Sequence, residues 1–343
     1  MTRPLAATSS APVRLDFAGG WTDVEPIASA IGGAVVNAAI DLRTTVTVRS
    51  AERYSLRAAD LALAASADSS ADFASTGPLA LHAAALRWAA LAPCAVSTAA
   101  AAPAGSGLGT SGALGVALVH ALSTARDEPL HPIEIAERAW TIETVDATVA
   151  GGRQDQYAAA LGGVQHLEMR DGKFHVSSIA IAAEVLDHLA QHIVVCHTGR
   201  SRFSGSTISR VVAAWQTGDQ QVHAALLGMR ALAQSVAPIL QQGDVVRLGE
   251  LLQANWQHQQ ALDRAMVTPA MAALEVAMRM AGATGGKAAG SGAGGVMFFA
   301  IPGSTKDAQD AARACGATVL PLRWAAGGVR SEPGPPVPAP HLA

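Results

Sequence analysis

Residues 103–113 read PAGSGLGTSGA and run directly into the apolar stretch LGVALVHALSTARD at 114–127. Gly105, Gly107 and Gly109 stand at every second position, which lets a backbone turn sharply and approach a ligand closely. A helix starting near Ser111 would add N–H groups without intrahelical partners and the positive end of its dipole. That combination binds phosphate. No lysine follows the loop, and the chain's single Gly-Gly-Lys, at 285–287, is followed by Ala288 instead of Ser or Thr. An ordinary P-loop is therefore disfavoured. A dinucleotide-binding loop fits no better, because the segment lies a hundred residues into the chain and no acidic residue follows at a strand end about 20 positions on. Taken alone, the segment is also compatible with a turn that brings a helix into close packing.

A second glycine-rich segment, GATGGKAAGSGAGG at 282–295, precedes the apolar run 296–301. It too permits close backbone approach, to a ligand or to another loop, although a bulged hairpin would use the same residues. Two such loops in one chain point toward a ligand.

Composition narrows the partner. The 343 residues are 50% hydrophobic and 15% charged, which excludes global disorder, and 24 Lys+Arg against 27 Asp+Glu leave a net charge of −3. There is no basic block for a phosphate backbone, so no nucleic acid partner is expected. Cys94, Cys196 and Cys315 are far apart and form no ligand spacing, so neither a disulfide framework nor a structural zinc is indicated. The opening residues MTRPLAATSS lack an apolar core, and no run approaches the ~20 apolar residues of a membrane span. The expectation is a cytoplasmic protein with no membrane partner.

Periodicity outlines the elements. Val13, Leu15 and Phe17 alternate with Arg14 and Asp16 as in a half-buried strand that ends at Gly19-Gly20, and 44–49 reads as another strand. Residues 57–76 are rich in Ala and Ser and carry little signal. Helices are expected at 79–91, from near Ser111 within 103–127, at 132–145 and at 154–161, with a strand or loop at 96–102 and strands at 164–169 and 174–179. Composition shifts near 181–189, and 193–196 reads as a buried strand opening a second half. Helices at 207–216, 219–240, 244–263, 269–281 and 305–315 and strands at 296–301 and 318–322 complete it, before a Pro-rich tail at 331–343 that reads as disordered. The mixture in two halves is an α+β pattern.

Arg14, Asp23, Glu143 and Asp155 are the polar residues that stand out. A kinase acting on a hydroxyl needs one carboxylate for Mg2+, one to take the hydroxyl proton, and a cation against developing negative charge. Each also has a plainer use: Arg14 pairing with Asp16 on a solvated face, Asp23 capping a turn, Glu143 on a helix surface. Asp155 stands in an uncharged neighbourhood, between Gln154 and Gln156. The segment TGRSRFSGSTISR at 198–210 offers Arg200, Arg202 and Arg210 for an anion, or else caps the helix after Ser206.

With APVRLDFAGGWTD at 11–23, PAGSGLGTSGA at 103–113 and GATGGKAAGSGAGG at 282–295 in this order, the chain resembles the GHMP kinase superfamily. GGRQDQYAAALGG at 151–163 and IGGAVVNAAID at 31–41 resemble its sugar-1-kinase branch, in particular the D-glycero-D-manno-heptose 7-phosphate kinases, with fucokinases and galactokinases as further relatives. The resemblance implies a two-lobed α+β fold, a ribosomal-protein-like β/α lobe over 1–185 and a ferredoxin-like α+β lobe over 190–328. It implies ATP and Mg2+ as cofactors, a sugar or sugar phosphate as substrate and a homodimer as one assembly open to it. Residue by residue, it makes Asp155 the catalytic base and Arg14 its partner at the transferring phosphoryl. It places Pro103, Gly105, Ser106, Gly107, Leu108, Gly109, Thr110, Ser111, Gly112 and Ala113 around ATP, and Ser111 with Glu143 on the metal. The substrate would meet Asp23, Trp21, Thr22, Gly20, Gly152, Gln156 and Gly292, with Arg200 and Arg202 on an acceptor phosphate. The resemblance implies phosphorylation of an anomeric hydroxyl, with heptose 7-phosphate first, a neutral sugar second, and an inactive sugar sensor third. Two departures stand out. Trp21 replaces the glycine usual in heptose kinases and suits stacking on a sugar ring or packing under the loop. Gly-Thr-Ser-Gly at 109–112 lets Thr110 share the metal role.

Overall fold

The structure, a computed structural model, describes residues 5–199 and 205–333. Strand β1 (Ala6–Ala18) is much longer than its five-residue apolar alternation, and every residue from Thr8 onward is buried. Its apolar face packs on helices, while Ser10, Arg14 and Asp16 are buried on the other side. The solvated face expected for Arg14 and Asp16 does not exist, because the second half of the chain covers it.

Helix α1 (Ile27–Ile31) leads into β2 (Ala34–Ser50), which pairs antiparallel with β1 and sets Arg14 opposite Ala39 and Asp16 opposite Asn37. The start of the Ala- and Ser-rich stretch and the residues just before it form the hairpin β3 (Tyr54–Ala58) and β4 (Leu63–Ala67). Helix α2 (Ala80–Ala89) then crosses over to β5 (Cys94–Ala100), which runs parallel to β3. Helices α3 (Thr110–Ala125) and α4 (Pro132–Thr141) follow; a π-helical turn at Ile142–Asp146 replaces the expected last turn of the second. Helix α5 (Gln154–Leu161) and the hairpin β6 (Val164–Arg170) and β7 (Lys173–Ser178) complete this half. With the late strand β12 (Arg330–Ser331) one eight-stranded sheet results, in the order β12-β1-β2-β5-β3-β4, with β6 and β7 branching from β2.

The composition shift near 181–189 is helix α6 (Ala183–His192), which leads into β8 (Ile193–His197). Helices α7 (Gly205–Gln216), α8 (Gln220–Gln242), α9 (Val245–Leu262) and α10 (Pro269–Met280) come next. Strand β9 (Gly285–Ala288) forms inside the glycine-rich segment, where no strand was expected, and pairs with β10 (Val296–Ala300). After α11 (Thr305–Ala314), β11 (Thr318–Leu320) completes a four-stranded antiparallel sheet in the order β11-β8-β10-β9. That order is the ferredoxin-like one, with the fourth strand beside the first.

The chain then returns to the first sheet. Trp324 bridges to Ile40, and β12 (Arg330–Ser331) pairs with Ser9 and Ser10 of β1. The expected disordered tail therefore starts too early: Ser331 is paired and Glu332 accepts a hydrogen bond from Ser10 Oγ at 2.6 Å. Residues 334–343 lie outside the described residues. Among the described residues no helix is long and apolar enough to cross a membrane.

The main core lies between the first sheet and α2, α3 and α4, with Leu118 fully buried on α3. Truncation by Leu118→Ala is expected to destabilise the chain by about 2–5 kcal/mol. Urea denaturation checks this; an unchanged midpoint would mean that α3 is not the keystone of this core.

Candidate active site

Arg14 joins four segments. Its Nε and Nη2 reach Asp155 Oδ1 at 2.8 and 2.6 Å, and its Nη1 donates to the carbonyls of Gly107 at 2.6 Å and Ala289 at 2.9 Å. The Arg14 side chain is 5% exposed and that of Asp155 29%. The guanidinium is thus sealed inside while the carboxylate stays reachable, as a proton acceptor must be. Asp155 lies in the first turn of α5, against the start of α3. A Cβ at Gly112 would come within 2.5 Å of the Asp155 Cβ, so a larger residue there would expel the carboxylate.

The two glycine segments touch. Gly105, Gly107 and Gly109 all have positive φ, and Gly109 opens α3 with no side-chain cap on its amide groups. The Val296 amide donates to Ser106 O at 2.7 Å, and a Cβ at Gly290 would lie 2.5 Å from Gly107 O. Ser106 and Leu108 are buried, and the Leu108 carbonyl accepts the Arg14 amide at 2.9 Å. These two residues contribute backbone to the loop. Pro103 is partly exposed, and Gly105 and Ser111 are exposed, beside the uncapped helix start. The arrangement fits a triphosphate: backbone amides, close approach and a helix dipole converge.

Glu143 enters from the π-helical turn. Ser111 Oγ donates to its Oε1 at 2.5 Å and Gln156 Nε2 to its Oε2 at 2.6 Å. Burial pushes the Glu143 carboxyl up to about 7, and the neighbouring Asp155 charge adds to this against the two hydrogen bonds. Ser111 Oγ and the Glu143 carboxylate are the oxygens suited to a divalent cation. Among the described residues no three His, Cys, Asp or Glu side chains converge, so such a cation would complete its shell with phosphate or water oxygens.

Asp23 closes the other side. Its Oδ2 accepts the amides of Arg153 at 2.8 Å and Gln154 at 2.9 Å, so a carboxylate 130 residues upstream caps α5. Gly152 makes this possible, since a Cβ there would lie 2.1 Å from Asp23 Oδ2. Burial pushes the Asp23 carboxyl up to about 6.

Two family matches cover parts of this site downstream of Arg14 and Asp23: the GHMP kinases N terminal domain over residues 69–163 and the GHMP kinases C terminal domain over 236–319. The chain belongs to the GHMP kinase family. An L-fucokinase/L-fucose-1-P guanylyltransferase of Bacteroides fragilis is 31% identical over 339 residues, covering 88% of this chain but 35% of that protein. A D-glycero-alpha-D-manno-heptose 7-phosphate kinase of Campylobacter jejuni is 29% identical over 205 residues, 60% of each chain. The chain therefore spans less than two thirds of either relative's length. Among solved structures, a D-glycero-D-manno-heptose 1-phosphate kinase from Bacteroides thetaiotaomicron matches with a TM-score of 0.76 and 26% identity over 95% of this chain and 99% of that one. A galactokinase of Lactococcus lactis in complex with galactose shares the fold, at a TM-score of 0.75 and 17% identity over 95% of each chain.

Within this GHMP kinase, several residues expected to touch substrate do other work. Trp21 is 6% exposed and packs among Ile208, Val211, Leu226 and Met229, so its ring is not available for stacking on a sugar. Thr22 is fully buried, its hydroxyl engaged with Gly19 O at 2.7 Å, Ala34 O at 2.9 Å and the Ala34 amide at 3.0 Å. Gly20 backs onto Asp16 and Gln154 instead of an open site, Gln156 orients Glu143, and Gly292 is held against Met266. Arg200 and Arg202 lie outside the described residues, and Arg210 donates to Asp263 Oδ2 at 2.7 Å.

Two features escaped the sequence reading. Arg153 stacks 3.6 Å from the Trp140 ring and pairs with Glu137, which also accepts the Tyr157 hydroxyl. Lys287, noted only to exclude a P-loop, is buried against Asp16. A lone lysine inside a glycine run before an apolar strand was the available signal.

The raised Glu143 pKa has a sign that can be measured. A carboxyl at about 7 when folded, against 4.5 unfolded, makes the folded state bind the proton more tightly, so stability rises as pH falls from 7 toward 4.5. Without nucleotide or divalent cations, Glu143→Gln should remove this slope and stabilise the chain at pH 8 by about 3 kcal/mol. The slope that Asp23 contributes, between 3.8 and about 6, should remain. Urea denaturation across this range tests the assignment; a variant as pH-dependent as the wild type above pH 6 would refute it.

Proposed function

We propose that the chain is an ATP-dependent kinase that phosphorylates the anomeric hydroxyl of a sugar or sugar phosphate, D-glycero-D-manno-heptose 7-phosphate first. The observation that carries this reading is Arg14, which ties the half-open Asp155 to the carbonyls of both glycine loops. A proton-accepting carboxylate is thereby fixed beside the uncapped start of α3, where a phosphate would lie. The heptose assignment draws on the segment at 151–163 and on the heptose kinases among the relatives.

In this reading the amides at the start of α3 and the backbone of 105–109 hold the phosphates. Asp155 accepts the hydroxyl proton of the acceptor, and Arg14 offsets the charge that develops at the transferring group. Ser111 and Glu143 are the residues that would hold Mg2+, which neutralises phosphate charge when bound. Asp23, buried and anchored on the amides of α5, bears on the acceptor in this reading by fixing the start of the helix that carries Asp155. The catalytic gain is positioning and charge balance. Cys94 and Cys196, buried and unpaired, suit the reducing cytoplasm in which we place the reaction.

A second reading, a fucokinase-like neutral-sugar kinase, is favoured by the match that covers 88% of the chain. Turnover with ATP on heptose 7-phosphate, L-fucose and other free sugars, with product position set by NMR, separates the two. Asp155→Ala should lower kcat by about 10²–10⁴ while sparing ATP binding; a rate near wild type would remove Asp155 from the base role. Ser111→Ala and Glu143→Ala should each raise the Mg2+ concentration needed for half-maximal rate, and unchanged metal dependence would sink that pairing.

A further inference from the structure

Lys287 is fully buried in β9, where it faces β1. Its Nζ donates to Asp16 Oδ2 at 2.8 Å and to the Asp16 backbone carbonyl at 2.7 Å, with the Phe298 ring 5.7 Å away. Asp16 Oδ1 is buried with no partner, so among the described residues Lys287 supplies the only side-chain hydrogen bond to this carboxylate. Burial pulls the Lys287 ammonium toward neutrality, and Asp16 opposes that shift.

The pair has a neighbour two residues away on each strand. Arg14 and Asp16 share one face of β1, and Arg14 Nη1 donates to Ala289 O while Lys287 donates to Asp16. Two parallel links therefore run from β1 to residues 287–289: a sealed one through Lys287, and one through Arg14 that also carries Asp155. A buried ion pair is often replaceable by apolar side chains at little loss of stability, so stability is a weak reason to keep a lysine here. What the pair ties down is residue 287 against Asp16 of β1, two residues from the Ala289 carbonyl that meets Arg14.

We propose that Lys287 is a positioning residue for phosphoryl transfer, holding the Ala289 carbonyl so that Arg14 keeps Asp155 aimed at the acceptor hydroxyl. This rests on the kinase reading above. If 287–289 slides, Arg14 loses one of its two carbonyl anchors and the guanidinium turns with Asp155 Oδ1 attached. ATP phosphates, held by the start of α3, would be affected much less.

The test is a double-mutant cycle on the full chain with Lys287→Met, Arg14→Met and the two combined. Lys287→Met should lower kcat by about 10- to 100-fold, as a small misplacement does, with KM for ATP changed less than about threefold. The double variant should be no slower than Arg14→Met alone within about threefold, because Lys287 acts through Arg14. Losses that multiply, a kcat near wild type in Lys287→Met, or a KM for ATP that rises with the loss would each overturn the proposal. If Lys287→Met does not fold, Asp16→Asn/Lys287→Met, which leaves no unpaired charge, replaces it in the same cycle. A wild-type chain that transfers phosphoryl to no sugar overturns the kinase reading and this proposal with it, whereas an active wild type with multiplying losses overturns only the role of Lys287.

Discussion

The guanidinium of Arg14 is the interaction on which the site depends. A planar fork of donors can serve several acceptors only if all of them are already in place, and here they come from segments 93, 141 and 275 residues away. The first glycine loop, the start of α5 and the end of β9 must all be folded before Arg14 is satisfied. Until then its charge would be buried without partners, a state far less stable than either the unfolded chain or the finished site. The geometry that suits catalysis is thus tied to completion of the fold, and it explains why the polar face of β1 is as deeply covered as its apolar face.

The same neighbourhood concentrates carboxylates. Asp16, Asp23, Glu143 and Asp155 surround two buried cations, Arg14 and Lys287, and three of the four acids are almost fully buried. Asp16 and Asp155 take the cations, whereas Asp23 has only amides and Glu143 only a hydroxyl and an amide side chain. The latter two are the groups whose pKa is pushed up. The two acids that lack a cation are thus the ones that hold a proton more tightly. The lack of a basic block in the sequence agrees with the proposed phosphate site, where backbone amides at a helix start would need no cluster of lysines.

What could be read in the sequence was whatever has a local signature. Glycines in a short run, a charged residue inside an apolar strand and Asp155 in an uncharged stretch stand out because each breaks its surroundings. The structure brings Arg14, Asp155, Ser111 and Glu143 to one place, with the two glycine segments in contact. The failures lie where tertiary contacts decide. Strand β4, LAASA, owes its strand state to pairing with β3, and β9 is strand only because β10 and α9 flank it. The roles of Thr22 and Gln156 depend on which backbone or carboxylate stands opposite, and neither neighbour is close in sequence.

Trp21 shows how such a contact changes what a departure from a family pattern means. In place of the glycine of the heptose-kinase pattern, the chain carries a tryptophan at φ +80 whose ring is packed against residues of α7 and α8. A non-glycine residue in that conformation is strained, and burial of a large aromatic side chain offsets the strain. The ring anchors the turn after β1 onto the helices of the second half of the chain. Thr22, bonded to both Gly19 and Ala34, carries that anchor to the adjacent Asp23. Any effect of Trp21 on acceptor choice is then exerted through the placement of Asp23 and the start of α5, with the helices of one half of the molecule setting the geometry of a site whose proposed base and its partner lie in the other.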